Sequence, residues 1–239
     1  AITDGEGNEY VWVEVPKTEE VYPTAGINII NFTDEEYIKI EDDLHTYTKD
    51  YRNGTSYNDI YHEDGTVGWF SDVDYYETKK KMLKSLYENK GFWVSRYEAG
   101  TNRLRTAKDE NMTVALSQAN LYPYTYITRT QAKILAEKVE SGSYTSNLMF
   151  GVQWDLILKY IEMKKSTTQE KLKTNSTPIG NYYTSEFILY RGKFANNSNL
   201  SNWFVYDSNE KKDWVLNCKK IKQNSIENSI LLTTGATDA

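Results

Sequence analysis

The segment from Phe150 to Ile161 constrains this chain more than any other. Phe150, Trp154, Ile157, Leu158 and Ile161 recur at the three-and-four spacing of an α-helix, and Val152 and Leu156 widen the apolar face. A helix apolar over so much of its circumference has to be covered by other elements. The spacing therefore predicts a deeply buried helix with Trp154 in the core, and Lys159, Lys164 and Lys165 lie at its C-terminal end, where cations complement the helix dipole.

The rest of the chain supplies both kinds of element to cover it. Tyr10-Val-Trp-Val-Glu-Val15 is β-branched and aromatic, lies between a turn-forming Asp4-Gly-Glu-Gly-Asn8 and Pro16, and reads as a strand. Thr33-Asp-Glu-Glu36 forms a capping box ahead of Tyr37, Ile40 and Leu44, which predicts a helix to about Lys49. Residues 50 to 71 have no sustained period and read as a long loop. A second helix is expected over 72–89, with Leu83, Leu86 and Tyr87 on one face and Gly91 as its stop, followed by a strand over 91–97. Thr128-Arg-Thr-Gln131 is another capping box, opening a helix with Ala132, Leu135, Ala136 and Val139 inward and closing at Ser141-Gly142. Beyond a polar connector over 166–181, short strands are expected at 186–190, 203–206 and 230–233. Periodicity alone thus gives a mixed α and β chain.

Charge and cysteine usage exclude several functions. A net charge of −6 disfavours a nucleic-acid backbone as partner, since that binding draws on clustered Lys and Arg. The longest basic run, Lys79-Lys80-Lys81, reads as a solvated helix face. No stretch approaches the roughly 18 consecutive apolar residues of a membrane span, so no membrane insertion is expected. Cys218 is the only cysteine, which rules out an intrachain disulfide and an all-cysteine zinc site. With 20 Tyr and 6 Trp among many Asn, Ser and Thr, the composition suits a contact surface in which rigid aromatics carry area and small polar residues adapt.

Four segments carry a family resemblance. Gly91-Phe-Trp-Val-Ser-Arg-Tyr-Glu-Ala-Gly100 has an aromatic pair leading into Tyr-Glu. Tyr122-Pro-Tyr-Thr-Tyr-Ile-Thr-Arg-Thr-Gln-Ala132 opens one helix, Leu148-Met-Phe-Gly-Val-Gln-Trp-Asp155 opens the next around a Trp, and Ser229-Ile-Leu-Leu-Thr-Thr-Gly-Ala-Thr237 follows. In order and spacing, residues 91–237 resemble part of the formylglycine-generating enzyme (sulfatase-modifying factor)-like domain. The resemblance implies an α+β, C-type-lectin-like fold with two core helices, short twisted strands and long loops on one face. It would occupy residues 91–239 and be incomplete at its C-terminus, behind an N-terminal extension over 1–90. Catalytic members of the family bind copper through a pair of cysteines, which Cys218 alone does not provide, so the enzymatic role is not expected to carry over. No cofactor is expected, calcium entering by the resemblance alone.

Other chemistry has little footing in the sequence. His45 and His62 lack the spacing that would bring two metal ligands to one helix face and read as surface residues. Asp42 and Asp43 are adjacent, point about 100° apart on a helix, and read as a solvated face, not a glycosidase pair. The Asp4–Asn8 segment lacks the ligand pattern of a calcium loop. Tyr182, Tyr183, Trp203 and Trp214, in the less periodic second half, are the candidate ligand-facing residues. The expected function is a non-catalytic binding module, extracellular or on a cell or virion surface, that holds a protein or glycan on the loops of a lectin-like scaffold. Two alternatives stand beside it. One is a structural subunit of a bacterial or phage surface assembly, completed by self-association or by a partner chain; the other is a fragment of a formylglycine-generating-type oxidase.

Overall fold

The structure is a computed structural model. It describes residues 1–51, 72–108, 112–139 and 144–173, with side chains from residue 74 onward in the second span, and the backbone of five short strands beyond residue 185. Helices and small antiparallel sheets make it a mixed α+β chain. The chain divides into two compact units, each discontinuous in sequence: one of residues 11–94 and 147–173, the other of residues 1–10, 95–146 and 174–239.

The first unit is largely helical. It contains α1 (Asp34–Tyr47), a 3-10 turn at Lys49–Tyr51, α2 (Asp72–Asn89), α4 (Gly151–Met163) and the short α5 (Gln169–Lys173). Tyr37, Ile40 and Leu44 recur on one face of α1, and Leu83 and Leu86 on one face of α2. With Val15, Val21 and Tyr22, with Phe150 just ahead of α4, and with Val152 and Leu156 on it, they form one apolar core. Tyr22 meets Tyr87 edge to face at 4.9 Å, and Tyr75 meets Phe150 at 5.4 Å.

Three expectations fail in this unit, each for a reason visible in the helical wheel. Trp154 is 54% exposed, not in the core, and α4 as a whole is not deeply buried: Ile157, Leu158 and Ile161 are only half-buried. Its buried stripe is Val152, Asp155 and Leu156, and a residue two places from both Val152 and Leu156 lies about 200° round the helix from each. Lys79, read as part of a solvated basic face, is only 1% exposed, because it stands four residues before Leu83 on the stripe that α2 buries. Asp43, read as solvated, is 4% exposed and accepts hydrogen bonds from the Thr24 hydroxyl at 2.8 Å and the Thr24 amide at 3.2 Å. Asp42 beside it is exposed as expected.

Capping follows the sequence with one departure. Thr128 and Gln131 satisfy each other's backbone amides at the start of α3 (Arg129–Glu137), a complete capping box. That helix ends at Glu137, short of the expected stop, and Ser141-Gly142 lies outside the described residues. At α1 the Thr33 hydroxyl accepts from the Glu36 amide, but the Glu36 side chain does not return to Thr33. It accepts from the Asn28 amide at 2.8 Å and from Lys39 at 3.1 Å, which fixes the loop before the helix.

In the second unit β1 (Ile2–Thr3) pairs antiparallel with the first residues of β2 (Glu9–Glu14), Ile2 opposite Tyr10 and Thr3 opposite Glu9, and in the first unit the rest of β2 lies beside β3 (Gly91–Ser95). The connection between β1 and β2 is a side-chain-built turn: Asp4 accepts from the amides of Glu6 and Asn8 and from the Asn8 side chain. The second unit also contains β4 (Gly100–Thr101) paired with β5 (Tyr122–Pro123), and α3. Its later strands are β6 (Glu186–Ile188) against β9 (Lys220–Lys222), and β7 (Lys193–Asn196) between β10 (Leu231–Leu232) and β8 (Asn199–Asn202). β6 and β10 fall where strands are expected, and the expected strand at 203–206 lies outside the described residues. Buried Arg105 donates to the carbonyls of Thr125 (2.8 Å) and Tyr126 (3.1 Å), so a charged side chain anchors the loop ahead of α3.

Candidate functional site

Tyr182, Tyr183, Trp203 and Trp214 all lie outside the described residues, as do His62 and Cys218. The best-defined candidate site instead starts on β2 and β3, in the helical unit. Alternation along a strand sends successive side chains to opposite faces. Val13 and Val15 are buried, with Val15 in the helical core and Phe92 packed against it. Trp12, Glu14 and Trp93, at the intervening positions, therefore share the other face, where the two indoles are half-buried and Glu14 is exposed.

The two indoles meet edge to face, with centroids 5.0 Å apart and planes at 60°. Gly91 makes this arrangement possible. A Cβ at Gly91 would overlap the Val13 carbonyl oxygen and come within 2.7 Å of Trp12 Cζ2, so the indole fills the space a side chain would take. One edge of Trp12 is thereby held against the backbone of β3, and the Val15 amide bonds the Lys90 carbonyl at 2.8 Å just beyond it. Gly91 also adopts φ +153°, a conformation that disfavours other residues.

Charged groups continue the row. Glu14 follows Trp12 by two residues on the same face, and its carboxylate lies 3.6 Å from Lys164 Nζ at the C-terminal end of α4. Lys164 Nζ lies 5.2 Å from the Tyr160 ring centroid, within cation–π range. Glu14 and Lys164 are each more than half exposed, so their pairing is worth at most about 1 kcal/mol and yields readily to a competing partner. From Trp93 to Tyr160 the row presents an aromatic pair, an acceptor, a donor and a further aromatic ring. Such a surface can stack on a ring and hydrogen-bond its substituents.

The other charged cluster of this unit is interior. Glu41 on α1 forms an ion pair with Lys79 on α2 and accepts the Tyr37 hydroxyl at 3.0 Å. Burial, with the Glu41 charge next, pushes the Tyr37 phenol far above its ordinary value. Lys79 Nζ is also 5.9 Å from the Tyr75 ring centroid. These groups are committed to one another inside the helix packing, which is the behaviour of a structural tie. At the end of the same interface Asp34 accepts from Lys80, and Tyr76, raised to about 12 by burial and then by its bond to Asp34, meets Tyr37 edge to face at 4.9 Å.

Among the described residues no group of three or more His, Cys, Asp and Glu is placed to hold a metal ion. The Asp4 carboxylate, the nearest thing to a calcium-loop start in the sequence, has both oxygens engaged within its own turn. Against the desolvation that raises it, the hydrogen bonds from the Asn8 side chain and from the amides of Asn8, Glu6 and Gly7 keep its carboxyl below the usual range. His45 sits half-buried on α1.

Reading β2 only as a strand passes over the outward row. The signal was present in the alternation of Val11, Val13 and Val15 with Trp12 and Glu14, which predicts that Trp12 faces away from the valines. The approach of Lys164, from 150 residues further along the chain, has no such signal. In comparisons with protein-family models, curated proteins and solved structures, the chain matches none.

Proposed function

We propose that this protein is a non-catalytic binding module of a cell or virion surface, which holds a protein or glycan ligand on partly exposed aromatic and exposed polar side chains. We propose further that residues 91–237 have the formylglycine-generating-enzyme-like, C-type-lectin-type fold that their four segments resemble. The observation that carries the binding reading is the pairing of Trp12 with Trp93 on the outer face of β2 and β3, in a row with Glu14 and Lys164. Large aromatics held by rigid strands bind with little loss of conformational freedom, which is why they dominate binding surfaces. The opposite face of the same strands contributes Val15 and Phe92 to the core packing, so the row is fixed in place before any ligand arrives.

Fluorescently labelled protein tested on bacterial cells, on isolated cell-wall glycans and on immobilised surface proteins checks this reading. Saturable binding to at least one of the three, weakened about tenfold by replacing Trp12 and Trp93 with Ala while circular dichroism stays unchanged, is the expected result. Absence of saturable binding to all three preparations contradicts it.

A further inference from the structure

We infer that the row formed by Trp93, Trp12, Glu14, Lys164 and Tyr160 takes a neutral saccharide; this rests on the binding-module reading and names the ligand class of that same site. A pyranose ring offers two chemically distinct surfaces: faces of C–H groups, which lie against an aromatic ring, and an equatorial belt of hydroxyls, each able to donate and accept. The row matches both. Trp12 and Trp93 stand half-exposed at one end and Tyr160 half-buried at the other. Between them Glu14 can only accept and Lys164 can only donate, 3.6 Å apart, so adjacent hydroxyls of one sugar meet one group of each kind.

The charge pattern selects among saccharides. Glu14 and Lys164 cancel each other, so the row itself carries no net charge, and the chain as a whole is −6. A polyanionic glycan would meet a repulsive overall field and a single cation already paired with a carboxylate. A flat aromatic heterocycle would stack best between parallel rings, whereas these two indoles stand at 60°. A puckered ring with hydroxyls at its edge fits the row better.

The test uses the whole chain and a panel of neutral oligosaccharides, the gluco-, xylo-, manno- and chito-oligomers, with heparin and polygalacturonate as anionic controls. Binding is followed by calorimetry and by tryptophan emission. At least one neutral oligomer is expected to bind, with an affinity that changes less than about twofold when salt is raised, since no counterions are released. Trp12→Ala and Trp93→Ala are each expected to weaken it about tenfold, and the exposed-site pair Glu14→Gln with Lys164→Met several-fold. The exposed-site pair lies outside the core, and Trp12→Phe keeps an aromatic on the strand, so these variants keep the test decisive if an Ala variant fails to fold. No binding across the neutral panel overturns the inference, as does binding confined to the anionic controls. Neutral binding that survives the Trp12, Trp93 and Glu14/Lys164 changes overturns it as well. Capture of a surface protein without any saccharide overturns it too, while leaving the binding-module reading in place.

Discussion

Lys79 on α2 forms its ion pair with Glu41 on α1 inside the helical unit, where Lys79 is almost fully enclosed and the Tyr37 hydroxyl shares the same carboxylate. An enclosed ammonium needs its partner, because removing one member of such a pair leaves the other charge desolvated and uncompensated. Glu41→Leu should therefore destabilise the protein by about 3 kcal/mol in urea unfolding. The double variant Glu41→Leu with Lys79→Met should recover more than half of that loss, since an apolar pair of similar size can replace a buried ion pair. Two single losses that simply add in the double variant would show that the pair is not coupled.

The outward position of Trp154 gives a sharper contrast within one helix. Trp154→Ala should change stability by less than about 0.5 kcal/mol, as surface substitutions usually do. Leu156→Ala, two residues away on the buried stripe, should cost about 2–5 kcal/mol through lost burial and a residual cavity. Thermal or urea unfolding of the two variants side by side checks this, and equal losses would contradict the placement of α4.

Acid should weaken the first turn of α1. The Lys80 hydrogen bond, followed by that of Tyr76, holds the Asp34 carboxyl below its ordinary value, and the Asn28 amide, followed by Lys39, does the same for Glu36. A carboxyl whose folded value lies below its unfolded value stabilises the fold fully above the unfolded value, about 4 for these groups, and loses that stabilisation as pH falls through the folded value. The urea midpoint should therefore decline from about pH 5 to about pH 3, and Glu36→Gln should make that decline shallower. An unchanged acid limb in the variant would show that Glu36 has no such role.

Gly91 is the backbone support of the row. Gly91→Ala places a methyl group against the Val13 carbonyl and the Trp12 ring at a φ that Ala disfavours, so a loss of about 1–3 kcal/mol is expected. The tryptophan emission should change with it, because the Trp12 indole has to move. A stable variant with unaltered emission would contradict the close approach.

Much of the architecture was legible from local chemistry. The caps at Thr33 and Thr128, the strand read over 10–15 and found at Glu9–Glu14, and the helices over 34–47 and 72–89 follow from side chains a few residues apart. What was not legible was which part of an apolar surface becomes the buried one. On α4 apolar residues surround most of the helix, so Trp154, Leu158 and Ile161 define as apolar a stripe as Val152 and Leu156 do, and only tertiary packing decides. Lys79 shows the converse: its position relative to Leu83 marks it as inward, but a lysine is read as solvated unless a carboxylate such as Glu41 is known to wait for it. The row at Trp12 was half legible, since alternation turns the indole outward, while the arrival of Lys164 depends on tertiary structure.

In the proposed site Trp12 and Trp93 are the tryptophans that meet the ligand. Incorporating 5-fluorotryptophan into the whole chain gives one fluorine resonance for each of the six tryptophans, assignable by single Trp→Phe variants. Titration with the oligosaccharide panel and with surface protein preparations should shift the Trp12 and Trp93 resonances and leave that of Trp154 in place. Shifts confined to Trp203 and Trp214, or no shift at Trp12 and Trp93 when binding is demonstrated, would contradict it.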